Sequence, residues 1–237
     1  MLSVPLLIAF LGGVLPSLLW LFFWLMEDSR NPEPKRYIIL CFLVGMVFVI
    51  PWSADGAYGF VLPLEHLTAG YFSGPLLLLS WATIEEIAKF LAAYLVALHT
   101  RASDEPLDAV VYMVTAALGF SAAENILFLL GPISQGDIAQ TILTGDLRFI
   151  GATLLHTLAS ATVGIALAVS FFKKPAVRRM YAFAGVVLAI ALHTAFNFFI
   201  LGSGSSATFW IFFCIWFGIV GILLTLERIK NPSIVRV

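Results

Sequence analysis

Long apolar stretches separated by short polar or proline-containing links dominate the chain. At the ~20 residues needed to cross a hydrocarbon core, they predict seven helices, roughly 4–26, 37–52, 75–99, 107–130, 147–172, 180–201 and 207–226. The second is short and would tilt little or borrow flanking residues. The pattern therefore predicts an all-α, polytopic membrane helix bundle, one domain over 1–237, without internal repeats or a soluble domain.

The links carry their own signals. Asn31-Pro32 and Pro34 stop the first helix. The segment 53–74 is longer and mildly polar, and its Tyr, Phe and Trp suit a position at the interface or a re-entrant path. Ser103 or Asp104 is expected to cap the fourth helix, with Pro106 in its first turn. Gly12, Gly13, Gly218 and Gly221 are expected at close helix approaches, and Phe209, Phe212 and Phe213 against lipid.

Composition agrees with this reading. The chain is 61% hydrophobic and 11% charged, against about 25% charged in soluble domains. A net charge of −1 and the lack of a basic, aromatic-interleaved surface speak against nucleic acid as a partner. The lipid bilayer is the partner that composition demands. Charge placement adds orientation. Of 13 lysines and arginines, Arg30, Lys35, Arg36, Arg101, Lys173, Lys174, Arg178, Arg179, Arg228, Lys230 and Arg236 fall on one side if the spans alternate. Only Arg148 falls on the other, and Lys89 lies within a span. The positive-inside rule then puts the N-terminus outside and the C-terminus in the cytoplasm. The first span lacks a basic leader and a small-residue cleavage site, so it reads as a retained helix. Cys41 and Cys214 fall within spans and read as small buried apolar residues.

Against this background the polar residues inside the spans are expensive. One carboxylate at a bilayer centre costs about 2.5–3.5 kcal/mol on insertion scales. The third span nevertheless carries Glu85, Glu86 and Lys89; the others add Glu124-Asn125, His156, and His193 with Asn197. At 1.5 Å per residue, Glu85 lies about 15 Å, His156 about 14 Å, Glu124 about 9 Å and His193 about 12 Å from the outer boundary. Helices that each place a titratable group at one depth point to a shared site. Glu85 and Lys89 share a helix face, as do His193 and Asn197. Glu86 lies 100° around the helix from Glu85, so one glutamate is expected to face a cavity while a neighbour holds the other. Arg148 and Asp108 fall near span ends, where solvated or capping roles compete. His66 and His99 lie outside the layer and read as structural.

Two imidazoles with carboxylates suit a divalent metal, zinc above all, with water in the open position. The same groups also serve a metal-free hydrolase, in which a glutamate activates water and His and Asn side chains stabilise the oxyanion. In either case Glu85 or Glu86 is the expected base, and Glu124, His156 and His193 bind metal or polarise the carbonyl. Lys89 and Asn125 support them. No G-x-S-x-G, Ser-Lys pair or H-E-x-x-H is present. Glu and His chains also mark proton relays in transporters, and a non-catalytic scaffold is the third reading.

Taken together, these strings resemble the PrsW family of intramembrane proteases, relatives of the type II CAAX prenyl endopeptidases. They are Glu85-Glu86-x-x-Lys89; Phe120 through Glu124-Asn125, preceded by Glu105-Pro106-x-Asp108; His156 after Arg148; and His193-x-x-x-Asn197. The match runs from about residue 80 to 200. Ala109 and Met113 stand where the family commonly has glycine, and Glu124 and Lys89 differ from the His and Arg of the prenyl endopeptidase branch. The resemblance implies an intramembrane endopeptidase of a prokaryotic cytoplasmic membrane, using Glu85, Glu86, Glu124, His156, His193 and Asn197. It further implies a single-pass membrane protein substrate cut near its extracytoplasmic face, an anti-sigma factor in the best-known role.

Overall fold

A computed structural model describes residues 4–28, 31–49, 61–202 and 205–230, and all regular structure among them is helical. The helices are α1 (Val4–Glu27), α2 (Lys35–Val49), α3 (Val61–Ala69), α4 (Gly74–Ala93), α5 (Pro106–Ser134), α6 (Ile138–Leu147), α7 (Thr153–Val169), α8 (Pro175–Gly202) and α9 (Ser205–Ile229). A π-helical turn, Tyr94–Leu98, extends α4, and another, Arg148–Ala152, joins α6 to α7 into one helix. Five of these stretches are long and apolar enough to cross a membrane: Val4–Glu27, Pro106–Ser134, Ile138–Val169, Pro175–Leu201 and Thr208–Ile229. The second and third predicted spans are helical but fall outside that group. The 15 residues of α2 are too few, and α4 carries Glu85, Glu86 and Lys89.

The bundle is organised around α5, which is buried on every side from Leu107 to Ala123. A helix apolar all round belongs inside, and α1, α2 and α7 pack against it. Small residues allow the closest approaches. A Cβ on Gly119 would overlap the Phe42 carbonyl oxygen, and one on Gly45 the Ala116 carbonyl oxygen, so α2 and α5 touch backbone to backbone. The outer helices turn Phe22, Phe183 and Phe217 outward, where a lipid-facing surface requires apolar side chains.

Several local expectations change. The fifth span starts at Ile138 rather than near 147, because Asp137 caps it by accepting from the Gln140 amide (2.9 Å). Gln140 and Asp146 mask this apolar turn in the sequence. Arg148 therefore sits in mid-helix, not near an end. The cap of α5 is Glu105 in a reciprocal box with Asp108, in place of Ser103 or Asp104, and Pro106 takes the first turn as expected. Gly13 and Gly218 do meet neighbours, whereas Gly221 faces open space. Cys214 is exposed, and Phe212 turns inward to line a cavity while Phe209 and Phe213 face outward. Of the 53–74 link, residues 53–60 lie outside the described residues; α3 follows, held to α4 by a Trp81 indole N–H donated to the Glu65 carbonyl (3.2 Å).

One end of the bundle gathers the basic links. There Lys230 Nζ meets Glu27 (2.8 Å), Asn31 Nδ2 donates to Glu105 (2.5 Å), and Tyr112 donates to Glu33. Glu33 is partly withdrawn from water, and that burial, reinforced by Asp108, pushes its carboxyl up to about 8.

Candidate active site

The intramembrane polar residues converge. Glu85 and Glu86 sit mid-way along α4, Glu124 and Asn125 on α5, His156 in the first turns of α7, and His193 on α8. Because Glu85 and Glu86 diverge by one helical step, they meet different partners. Glu86 is fully buried; its Oε1 accepts from Lys89 Nζ at 2.5 Å and from His193 Nδ1 at 2.8 Å. Glu85 lies 3.9 Å from the same ammonium and lines a cavity of about 790 Å³. The predicted division of labour is thus resolved: Glu85 faces the space and Glu86 is held.

Hydrogen bonding fixes the imidazoles. The His193 Nδ1–H is donated to Glu86, which leaves the Nε2 lone pair directed toward Glu85 Oε2, 3.7 Å away. His156 accepts from Lys89 at Nδ1 (2.8 Å) and donates from Nε2 to Glu124 Oε2 (2.8 Å). The two rings stand edge to face with centroids 5.1 Å apart. Lys89, buried among these groups, also lies 4.8 Å from the Phe120 ring centroid.

A second set braces the first. The π-turn puts Arg148 where its Nη2 reaches Glu124 Oε2 (2.9 Å) and its Nε reaches Asn125 Oδ1 (2.5 Å). The guanidinium lies 4.0 Å from the Phe128 ring centroid. Asn125 in turn donates to Thr153 Oγ1 (3.2 Å), which also accepts from Ser121 (3.0 Å). Asn197 lines the same cavity.

One residue escaped the sequence reading. Glu65, on α3, lines the cavity and its carboxyl interacts with that of Glu85. Burial, with Glu124 nearby, pushes it up to about 7. The signal was a lone carboxylate in an apolar LPLEHL string; it was hidden because that segment reads as a link. His66, on the next position, stays exposed, and His99 lies at the other end of α4.

A metal fits this donor set. Ligand atoms of Glu85, His156 and His193 all lie within 4.8 Å of one another. Among the described residues Glu85 Oε2 is buried without a hydrogen-bond partner, the condition a bound cation would relieve. Glu124 is instead engaged by Arg148 and His156. Bonds of about 2.0–2.2 Å to zinc would draw these side chains inward by a fraction of an ångström to about one. His156, committed at both nitrogens, would exchange one hydrogen bond for coordination.

The sequence is similar to known proteins. The profile described as "PrsW family intramembrane metalloprotease" matches residues 33–223. Protease PrsW of Geobacillus kaustophilus is 29% identical over 192 residues, covering 80% of this chain and 78% of that protein. Protease PrsW of Bacillus subtilis is 24% identical over 215 residues, covering 88% and 91%. The Clostridioides difficile protein of the same name is 26% identical over 200 residues, covering 81% and 79%. No solved structure matches the chain. A match over most of the length, on the very helices that bring carboxylates and imidazoles together, makes this chain a multi-pass membrane protease belonging to the PrsW family of intramembrane metalloproteases.

Proposed function

We propose that Glu85, His156 and His193 form the hydrolytic centre, and that the chain cuts single-pass membrane proteins near the extracytoplasmic face. The observation that carries this is the cluster of their ligand atoms within 4.8 Å on the wall of a cavity of about 790 Å³. In this reading the chain crosses the bilayer seven times, with the N-terminus outside and the C-terminus cytoplasmic. The gathering of basic links at one end of the bundle supports that count and orientation. The family resemblance supports an anti-sigma factor as substrate.

Each side chain then has a task. The cavity-facing Glu85 and the two imidazoles would hold one divalent ion, zinc by their donor chemistry. Such an ion supplies Lewis acidity and an acidified water when bound. Glu86 fixes the His193 tautomer so that Nε2 faces the centre, the outer-shell role common to ligating histidines. Lys89 balances the charge of Glu86 and orients His156. Glu124, with Arg148 as countercharge, is a further carboxylate on the wall and accepts the proton of the attacking water. Asn197 offers an amide N–H to the substrate carbonyl. In the metal-free version, Glu85 itself takes the proton; Lys89 Nζ at 2.8 Å from His156 supplies the internal cation that version needs.

Co-expression with tagged single-pass membrane proteins tests the reading, comparing wild type with Glu85→Gln. Cleavage should vanish in the variant, and elemental analysis should find zinc in the wild type alone. Undiminished cleavage by Glu85→Gln sinks the assignment. Full activity under a strong chelator, with no metal found, selects the metal-free version.

A further inference from the structure

A second cavity, of about 480 Å³, opens at the basic end of the bundle, away from the hydrolytic centre. Its walls come from α4 and its π-turn, α5, α7 and α8. Arg178 and Arg179 line it together with His99, Ser103 and Tyr94, and no carboxylate lies among its lining residues. Two cations in one concave site with no carboxylate on its wall among the described residues invite an anion, and guanidinium forks match phosphate oxygens. The site is also prepared. Tyr94 stacks on Phe90 with centroids 5.9 Å apart. His99 is drawn against Tyr94 by an Nδ1 contact of 2.6 Å to its carbonyl. Arg178 rests 5.2 Å from the Phe171 ring centroid. The π-turn that widens α4 here lies beside the cavity, as the other π-turn lies beside the hydrolytic one.

The surroundings choose among anions. Phe183 follows Arg179 by one helical turn on the same face of α8 and is 72% exposed. Leu95, next to Tyr94, is likewise exposed. Exposed apolar side chains on the helices that wall a cationic pocket match a headgroup with its acyl chain, whereas a free anion has no use for them. We propose that this cavity binds the phosphate headgroup of an anionic phospholipid, with an acyl chain laid along α8. Basic pockets between membrane helices take such headgroups. This inference does not depend on the proteolytic reading.

The test is equilibrium binding of fluorescent phosphatidylglycerol to the purified full chain in neutral detergent. Phosphatidylcholine and inorganic phosphate serve as separate competitors. Phosphatidylglycerol should bind in preference to phosphatidylcholine, and excess phosphate should not displace it. At about five-fold per juxtamembrane cation, Arg178→Gln/Arg179→Gln should weaken binding roughly 25-fold. Lys35→Gln/Arg36→Gln, which removes the same charge from the start of α2, should leave it unchanged. If the double variant does not fold, the exposed Arg179→Gln alone should lose about five-fold. Equal binding of the two lipids, equal loss in the Lys35/Arg36 control, or displacement by phosphate overturns the proposal.

Discussion

Glu85 and Glu86 are adjacent in sequence, yet the structure predicts opposite phenotypes for their glutamine variants. Lys89 Nζ lies 2.5 Å from Glu86 Oε1 and 3.9 Å from Glu85 Oε2. With an effective dielectric of about 20, those separations correspond to roughly 7 and 4 kcal/mol of attraction before desolvation. Glu86 is therefore the partner on which the buried ammonium depends, and it also anchors His193. Removing one member of a buried pair costs about 3–5 kcal/mol. Glutamine keeps an acceptor and Glu85 stays within reach, so the lower figure applies to Glu86→Gln. At about 2–4 °C per kcal/mol for a chain of this size, its melting point should fall by roughly 6–12 °C. Glu85→Gln replaces a carboxylate whose Oε2 makes no hydrogen bond among the described residues. With metal stripped from both proteins it should melt within ~2 °C of wild type, while in the untreated protein cleavage falls at least ~100-fold, as for a lost metal ligand or acid–base group. Tryptophan-fluorescence melts in detergent, paired with cleavage of a co-expressed substrate, read both quantities. A folded Glu85→Gln protein that cleaves at the wild-type rate would refute the reasoning. So would the inverse pattern, with Glu85→Gln unstable and Glu86→Gln unaffected.

Three further outcomes follow from other parts of the molecule. Arg148→Gln should slow cleavage about 10–100-fold, the usual cost of an outer-shell partner, because Glu124 and Asn125 lose their shared donor; Arg148→Lys should recover only part of the rate, lacking the fork. Gly119→Val should destabilise by about 3 kcal/mol or more, since its Cβ would overlap the Phe42 carbonyl, a backbone group that cannot step aside. Gly221→Val, facing open space, should melt like wild type. Glu33 titrates higher in the folded state, at about 8 against an ordinary value of 4.5, so its contribution is fully present below pH 4.5 and is lost as pH rises toward 8. Glu33→Gln mimics the protonated form and should flatten the melting-point decline over that window, as a series of thermal melts would reveal.

Much of this protein was legible in its sequence, for definite physical reasons. Burying charge in hydrocarbon is costly enough that Glu85, Glu86, Glu124, His156 and His193 announce themselves, and helical rise alone predicts that they share a depth. The 100° step between Glu85 and Glu86 predicts that only one faces a cavity. Tertiary packing decided which one, because His193 approaches from α8 on the Glu86 side, toward which Lys89 also turns. It also brought Arg148 to Glu124 through a π-turn that leaves no periodic signature, and turned Phe212 inward from an apolar helix that shows no preferred face. Glu65 entered the site by the docking of α3, a segment whose pattern reads as a link. Hydropathy records what each residue pays to leave water, and so fixes depth. The direction in which a side chain points around its axis depends on neighbours distant in the chain, and only the packed bundle supplies them.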